Sequence, residues 1–406
     1  MESSKNFIIH NLIQEVIFDN NNLDFSITYS NLKLNDKELF HETILENKIS
    51  SNFIKYIKNK ECSNRICKSF YEKCRLQASR FQIHSFQVIK EIHEINSLFI
   101  NEGLTPIYLK GIALQKEYDD ISLRPMVDVD ILFKKEELLR AYEILHKKNF
   151  LSSDEKQYLN KNNINHFCKR FYHIHIVTKN NISIELHYRV TRNNDFINCP
   201  ISQSFFNDFQ SIDYYYEKIN IPSIENIIIH ALCHFSINTS FKKLLRTLVD
   251  IKSISANHKI QWQEIILKYD DIKIRKGISL ALELISLNQG TIQNLDRTRL
   301  MLKEYFPEEK LVQEAQHKLY DVSRTISAES FSDRLKDPKN LKALPGILFP
   351  SKKLLMYRYK ILKPDYKSYI RYYKDQLSKI PLVLNSKQKS GSDSHLNPLN
   401  SWLNKN

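Results

Sequence analysis

The sequence predicts an α+β protein: a small mixed β-sheet core with helices on one face, flanked by N- and C-terminal helical regions. Three observations carry this. Between residues 105 and 190, short runs of strand character alternate with helix-length stretches in the order strand, helix, strand, helix, strand, strand. On both sides of that core, apolar residues recur at steps of three and four. The chain has only 6 glycines in 406 residues, and no two stand close enough for a GxGxxG or P-loop fingerprint, which excludes Rossmann and Walker chemistry.

The first region, residues 1–104, reads as helical. Residues 1–18, MESSKNFIIHNLIQEVIF, mix charge into apolar positions as an amphipathic helix does, and carry no secretory pattern. Residues 20–35 are polar and turn-rich, with a short extended segment expected at Leu23 to Tyr29. Helical periodicity follows over Asp36 to Lys58 and Cys67 to Asn101, the latter with Phe86, Ile89, Ile92, Ile95 and Phe99 on one stripe. This region is expected to pack or cap the core.

The core spans residues 105–190. Pro106 discourages helix and starts a strand at Ile107–Leu109, which runs into Lys110-Gly111. A helix is expected over Ile112 to Tyr118, with Asp119, Asp120 and Ser122 as its polar exit. Arg124-Pro125 precede a strand carrying Asp128 and Asp130. Glu136 to Lys148 reads as an amphipathic helix and Lys156 to Asn165 as a polar loop. Phe171 to Thr178 and Ile182 to Val190 form an expected hairpin about Lys179-Asn180-Asn181.

Residues two apart on a strand share a face, so Asp128 and Asp130 project together while Val127, Val129 and Ile131 face away. Paired carboxylates repel unless a cation lies between them, and Mg²⁺, which takes oxygen ligands and substrate phosphates, is the usual one. In SIELHYRV, residues 183–190, Glu185, His187 and Arg189 share a face. A strand placed beside Asp128–Asp130 would bring Glu185 to the same metal. A glycine opening a helix after a strand lets backbone approach a phosphate, which makes Gly111 a candidate phosphate contact.

The residues LKG, RPMVDVDILF and IELHYRV in this order resemble the bacterial family of largely uncharacterised nucleotidyltransferases within the DNA polymerase β-like superfamily. The strong similarity covers roughly residues 105–190, with a weaker helical similarity from about 75 to 380. Lys110-Gly111 stands where the wider superfamily has Gly-Ser, and the gap to Asp128 is longer. The resemblance implies a two-metal transferase using Mg²⁺ or Mn²⁺ and a nucleoside triphosphate. Asp128, Asp130 and Glu185 would be the catalytic and metal-holding residues. Lys110, Gly111 and Arg124 would bind the nucleotide's phosphates, and His187 would orient Glu185 or meet the acceptor.

Residues 191–345 read as a helical domain. His230 and His234 lie four apart on one helical face, but with no HExxH and no third ligand they are expected to be structural. Phe241 to Ser253 reads as a helix with Arg246 and Asp250 one turn apart. Residues 346–406 form a basic, tyrosine-rich segment and a flexible tail. Its interleaved charge and aromatics admit nucleic-acid binding, though packing tyrosines are the favoured reading.

The net charge of +14 favours an anionic partner such as a nucleotide. Six cysteines without a CxxC are expected to be free thiols in a reducing cytoplasm. No stretch has the ~20 apolar residues a membrane helix needs. The reading that fits best is nucleotidyl transfer from a triphosphate to a hydroxyl on an unidentified small molecule, peptide or protein. Two others stay open: an inactive scaffold of the same fold, and an RNA-binding protein or RNA nucleotidyltransferase.

Overall fold

The computed structural model describes residues 2–19, 24–169, 171–190, 200–234, 244–289, 294–320, 350–361, 364–377 and 402. Its centre is a six-stranded mixed sheet in the order β3-β4-β2-β1-β6-β5. The strands are β1 (Ile107–Tyr108), β2 (Asp128–Leu132), β3 (His173–Val177), β4 (Ser183–His187), β5 (Phe209–Tyr214) and β6 (Glu217–Pro222). β2 runs antiparallel to β1 but parallel to β4, with Asp130 opposite Glu185 and Leu132 opposite His187. β3 closes one edge as the expected hairpin partner of β4.

Alternation decides what each face does. Val129 and Ile131 of β2, Ile184 and Leu186 of β4, and Ile174 and Ile176 of β3 are all fully buried. Phe133, next on that side, meets Phe99 edge-on at 4.9 Å. Phe99 ends the buried stripe of a long helix, so the apolar face of the sheet seats on that helix. The opposite face carries Asp128, Asp130, Glu185 and His187.

Five helices precede the sheet: α1 (Glu2–Phe18), α2 (Phe25–Ser30), α3 (Leu34–Glu46), α4 (Ser50–Asn59) and α5 (Lys68–Asn101). α5 holds the expected stripe, with Ile89, Ile92, Ile95 and Phe99 buried, although Phe86 is exposed. The single helix expected over residues 36–58 is split between α3 and α4, where Lys48 takes a left-handed φ of 58°. The extended segment expected at Leu23 to Tyr29 is instead largely the helix α2. Asp24 accepts the backbone N–H of Ile27 and so caps it, while Phe25 and Tyr29 are buried from the same side.

Within the core, α6 (Lys110–Leu114) begins earlier and is shorter than the helix expected at Ile112 to Tyr118, and a 3₁₀ turn over Gln115–Glu117 completes it. α7 (Leu138–Lys147) matches expectation, and α8 (Ile164–Cys168) caps the loop before the hairpin. After α9 (Pro200–Asn207), the helical reading of residues 191–345 is corrected. Residues 209–222 form the hairpin β5–β6, and β6 joins the sheet in parallel beside β1.

Helices then resume as α10 (Ile224–Cys233), α11 (Leu244–Asn257), α12 (Trp262–Leu267), α13 (Ile272–Gln289), α14 (Leu295–Met301) and α15 (Glu309–Tyr320). α10 packs on α6, α11, α13 and β6 and roofs the polar face of the sheet. α1 reaches α11 and α13, with Lys252 donating to the Ile17 carbonyl at 2.7 Å. In the basic C-terminal segment, α16 (Lys352–Tyr359) and α17 (Tyr366–Leu377) bury Tyr357 and Tyr372. Tyr357 donates to the Asn163 carbonyl at 3.1 Å, so these tyrosines serve as packing. The expected tail at residues 385–397, Cys199 and the first turn of the helix expected from Phe241 lie outside the described residues.

Candidate active site

The site begins with the turn from β1 into α6. Lys110 adopts a φ of 47°, a left-handed conformation that costs a side-chain-bearing residue about 1–2 kcal/mol. The neighbouring Gly111 does not carry that turn. Its missing side chain makes room, since a Cβ there would sit 3.2 Å from Met126 Cγ. The strained backbone aims Lys110 back at the sheet, where Nζ lies 2.5 Å from Asp130 Oδ1 and 3.7 Å from Glu185 Oε2.

Parallel, in-register pairing of β2 with β4 supplies the acidic group. Asp128, Asp130 and Glu185 each present an oxygen, and these atoms all lie within 4.8 Å of one another. Asp130 is 1% exposed, whereas Asp128 and Glu185 are half-buried. His187, also buried, places Nε2 between two carboxylates, 2.9 Å from Asp130 Oδ1 and 3.1 Å from Glu185 Oε2. His173 approaches from β3, with Nδ1 3.5 Å from the same Glu185 oxygen.

The charges interlock. Burial would raise the Asp130 carboxyl, but the Lys110 ammonium and the His187 bond outweigh it and hold the group well below the usual carboxylate range. Glu185 follows the same pattern: burial pushes it up, and the His187 bond with the Lys110 charge brings it below its ordinary value. Burial pulls Lys110 down, yet Asp130, Glu185 and Asp128 together carry it above the ordinary lysine value. His187 is likewise lowered by burial and raised further by its bonds to Asp130 and Glu185. For His173 burial wins, helped by His187, and its imidazole falls to about 4.

A cleft opens beside this group, lined by Lys110, Gly111, Arg124, Asp128, His230 and Arg246 among others. Arg124 is already engaged: its Nε pairs with Asp250 Oδ1 at 2.6 Å, and Tyr118 donates to the same oxygen at 2.5 Å. Arg246 donates to the Pro125 carbonyl. Burial and then the nearby Arg124 charge bring Arg246 down to about 10, against the opposing pull of Asp250 and Asp128. His230 is buried against Phe205, and burial holds it neutral.

Every residue singled out from the sequence therefore stands at one locus. Lys110, Asp128, Asp130, Glu185 and His187 form one cluster, and Gly111 and Arg124 line the adjoining cleft. Sequence reading missed His173 and the placement of Arg246. His173 is on the alternating strand His173–Val177, and its reach to Glu185 depends on the antiparallel register of that hairpin. Arg246 gave no signal beyond lying one turn from Asp250.

A family model of uncharacterised nucleotidyltransferases matches residues 34–288. The chain belongs to this family. The matched span takes in α3 through most of α13, and so includes the whole sheet, the acidic group and the cleft. Among curated proteins, none matches the chain. Membership assigns the protein to the nucleotidyltransferases, whose chemistry uses a nucleoside triphosphate and, in general, a divalent metal.

The acidic group suits such a metal. Three carboxylates form an all-oxygen donor set, the kind that hard divalent cations prefer. The second oxygen of Asp130 is buried without a hydrogen-bond partner, although buried carboxylate oxygens rarely go unbonded. Among the described residues no helix is long and apolar enough to cross a membrane.

Proposed function

We propose that the protein is a metal-dependent nucleotidyltransferase that transfers a nucleoside monophosphate from a triphosphate to a hydroxyl of a small molecule, peptide or protein. The observation that carries this is the register of β2 on β4, which sets Asp130 opposite Glu185 and gathers an oxygen of each with one of Asp128 within 4.8 Å of one another, close enough to share a metal ion. In the reaction the acceptor oxygen bonds to the α-phosphorus, the bond to the β-phosphate oxygen breaks, and pyrophosphate leaves. Mg²⁺ or Mn²⁺, when bound, lowers the acceptor hydroxyl's hold on its proton and neutralises charge on the triphosphate.

The chain's own residues do the rest. Asp128, Asp130 and Glu185 would hold the cations, and Glu185, the more exposed of the β2–β4 pair, receives the acceptor's proton. His187 fixes the orientation of Asp130 and Glu185 through Nε2. Lys110 and Arg246 offer positive charge to the phosphates along the cleft, with Arg124 anchored behind them by Asp250. The free cysteines among the described residues accord with work in a reducing cytoplasm.

The test is pyrophosphate release by purified protein with Mg²⁺ and each triphosphate in turn, with a cell extract as acceptor source. Release that vanishes in Asp128→Ala supports the reading. Release unchanged in that variant would remove the site assignment. No release with any triphosphate would favour a scaffold of the same fold.

A further inference from the structure

Glu185 faces two sets of donors at once. Toward β2 its neighbours are Asp128 and Asp130. Toward β3 it is His173, with His187 two residues along its own strand, and one ligand atom from each of His173, Glu185 and His187 also lies within 4.8 Å of the others. The register explains this convergence: His173 pairs directly opposite His187 across the β3–β4 ladder, so both project on the polar face beside Glu185. The two imidazole rings stand 5.0 Å apart at 65°.

The donors are built rather than incidental. His187 is 1% exposed and His173 lies largely within the fold. His173 Nδ1 is buried, faces Glu185 Oε2 at 3.5 Å and makes no hydrogen bond. Buried polar nitrogens without partners are rare, because each loses its hydration for nothing in return. Two imidazoles and one carboxylate also differ in kind from the all-oxygen group next door. Nitrogen donors favour divalent transition ions, while Mg²⁺ keeps to oxygen.

We infer that His173, Glu185 and His187 form a second metal site, which takes an imidazole-preferring transition ion such as Zn²⁺ over Mg²⁺, the ion replacing the His187 Nε2 proton that bonds Asp130 and Glu185 in its absence. Glu185 belongs to both sites and bridges them. The bridging rests on the proposed carboxylate site, whereas the two-histidine site stands without it. The protein then carries a mixed pair of positions: an oxygen-lined one that accepts Mg²⁺ and an imidazole-lined one that selects against it.

The test reads ligand nitrogen directly. The full chain, stripped with chelator and dialysed against one equivalent of Cu²⁺, which prefers imidazole, is examined by pulsed electron paramagnetic resonance. Wild type should show imidazole nitrogen modulation, and a tenfold excess of Mg²⁺ should not remove it. His173→Ala should weaken binding at least about tenfold and lose one imidazole contribution. His173→Gln, with a polar side chain of similar reach, controls for loss of folding when circular dichroism is unchanged.

Asp128→Asn should keep the nitrogen signal while abolishing any pyrophosphate release, which separates this site from the carboxylate one. Absence of nitrogen coupling in the folded wild type would overturn the inference, as would coupling unchanged in both His173 variants. A protein with the nitrogen signal but no transferase activity would keep the metal site and discard the proposed function.

Discussion

Two aspartates one residue apart should respond to the same substitution in different ways. Asp130 is 1% exposed and accepts from Lys110 at 2.5 Å and from His187 at 2.9 Å. Removing one member of a buried ion pair strands the other charge and costs about 3–5 kcal/mol. Lys110 keeps Glu185 at 3.7 Å, which places Asp130→Ala at the lower end, about 3 kcal/mol. Asp128 is half-buried at the cleft's edge, and Asp128→Ala should cost about 1 kcal/mol or less. Yet both should abolish pyrophosphate release if the three carboxylates act together. Urea unfolding followed by circular dichroism measures the stability half, and a coupled pyrophosphate assay the other. A midpoint for Asp130→Ala equal to that of Asp128→Ala would refute the argument that Asp130 is a buried counter-ion.

Arg246→Ala, which removes a cleft guanidinium that donates to the Pro125 carbonyl, should raise KM for the triphosphate by about 10- to 100-fold with little change in melting temperature; an unchanged KM would take Arg246 out of phosphate binding. Asp250→Asn leaves the Arg124 charge buried with neutral partners alone and should cost about 3 kcal/mol in chemical denaturation, and a neutral result would mean the pair contributes nothing. Acid should erode stability, read by circular dichroism of an acid titration: Asp130 and Glu185 are depressed on folding, so their contribution is present above their unfolded values and is lost as pH falls through the folded ones. His187 is raised, so its contribution is full below its unfolded value and is lost as pH rises through the folded one; a His187→Gln variant that keeps the wild-type alkaline limb would contradict this. Mg²⁺ at ~100 times its dissociation constant should add about 2.7 kcal/mol to wild-type stability and nothing to Asp128→Ala, as read by thermal shift.

Much of the site was legible because its signals are local. Alternation alone puts Asp128 and Asp130 on one side, and Lys179-Asn180-Asn181 marks a turn between two alternating runs. The periodicity of α5 could be read in the same way. What could not be read is pairing over distance. Nothing in residues 128–132 states that they will lie parallel to residues 183–187 in a register that sets Asp130 against Glu185.

The β5–β6 hairpin was hidden for a related reason. FQSIDYYYEKINIP is polar, its turn is a Tyr215-Tyr216 pair, and residue 215 takes a left-handed φ of 57° without a glycine to announce it. At α2 the alternation of LDFSITY suggested a strand, but an Asp24 cap and the burial of Phe25 and Tyr29 decided for helix. Lys110 shows the same gap most sharply. Its neighbour glycine drew attention, while the strained conformation belongs to the lysine itself.

That lysine offsets part of the charge of the acidic nest from within. Its ammonium is an internal counter-ion, so the chain can fold around three anions before any external cation arrives. An incoming dication has to compete with this tethered charge, which weakens its capture when it comes alone. A polyanionic ligand that gives the displaced ammonium a new partner removes the competition. By reciprocity the dication then strengthens capture of that ligand to the same degree. Cation and polyanion loading are thereby coupled through one flexible side chain, and neither is favoured to dock without the other.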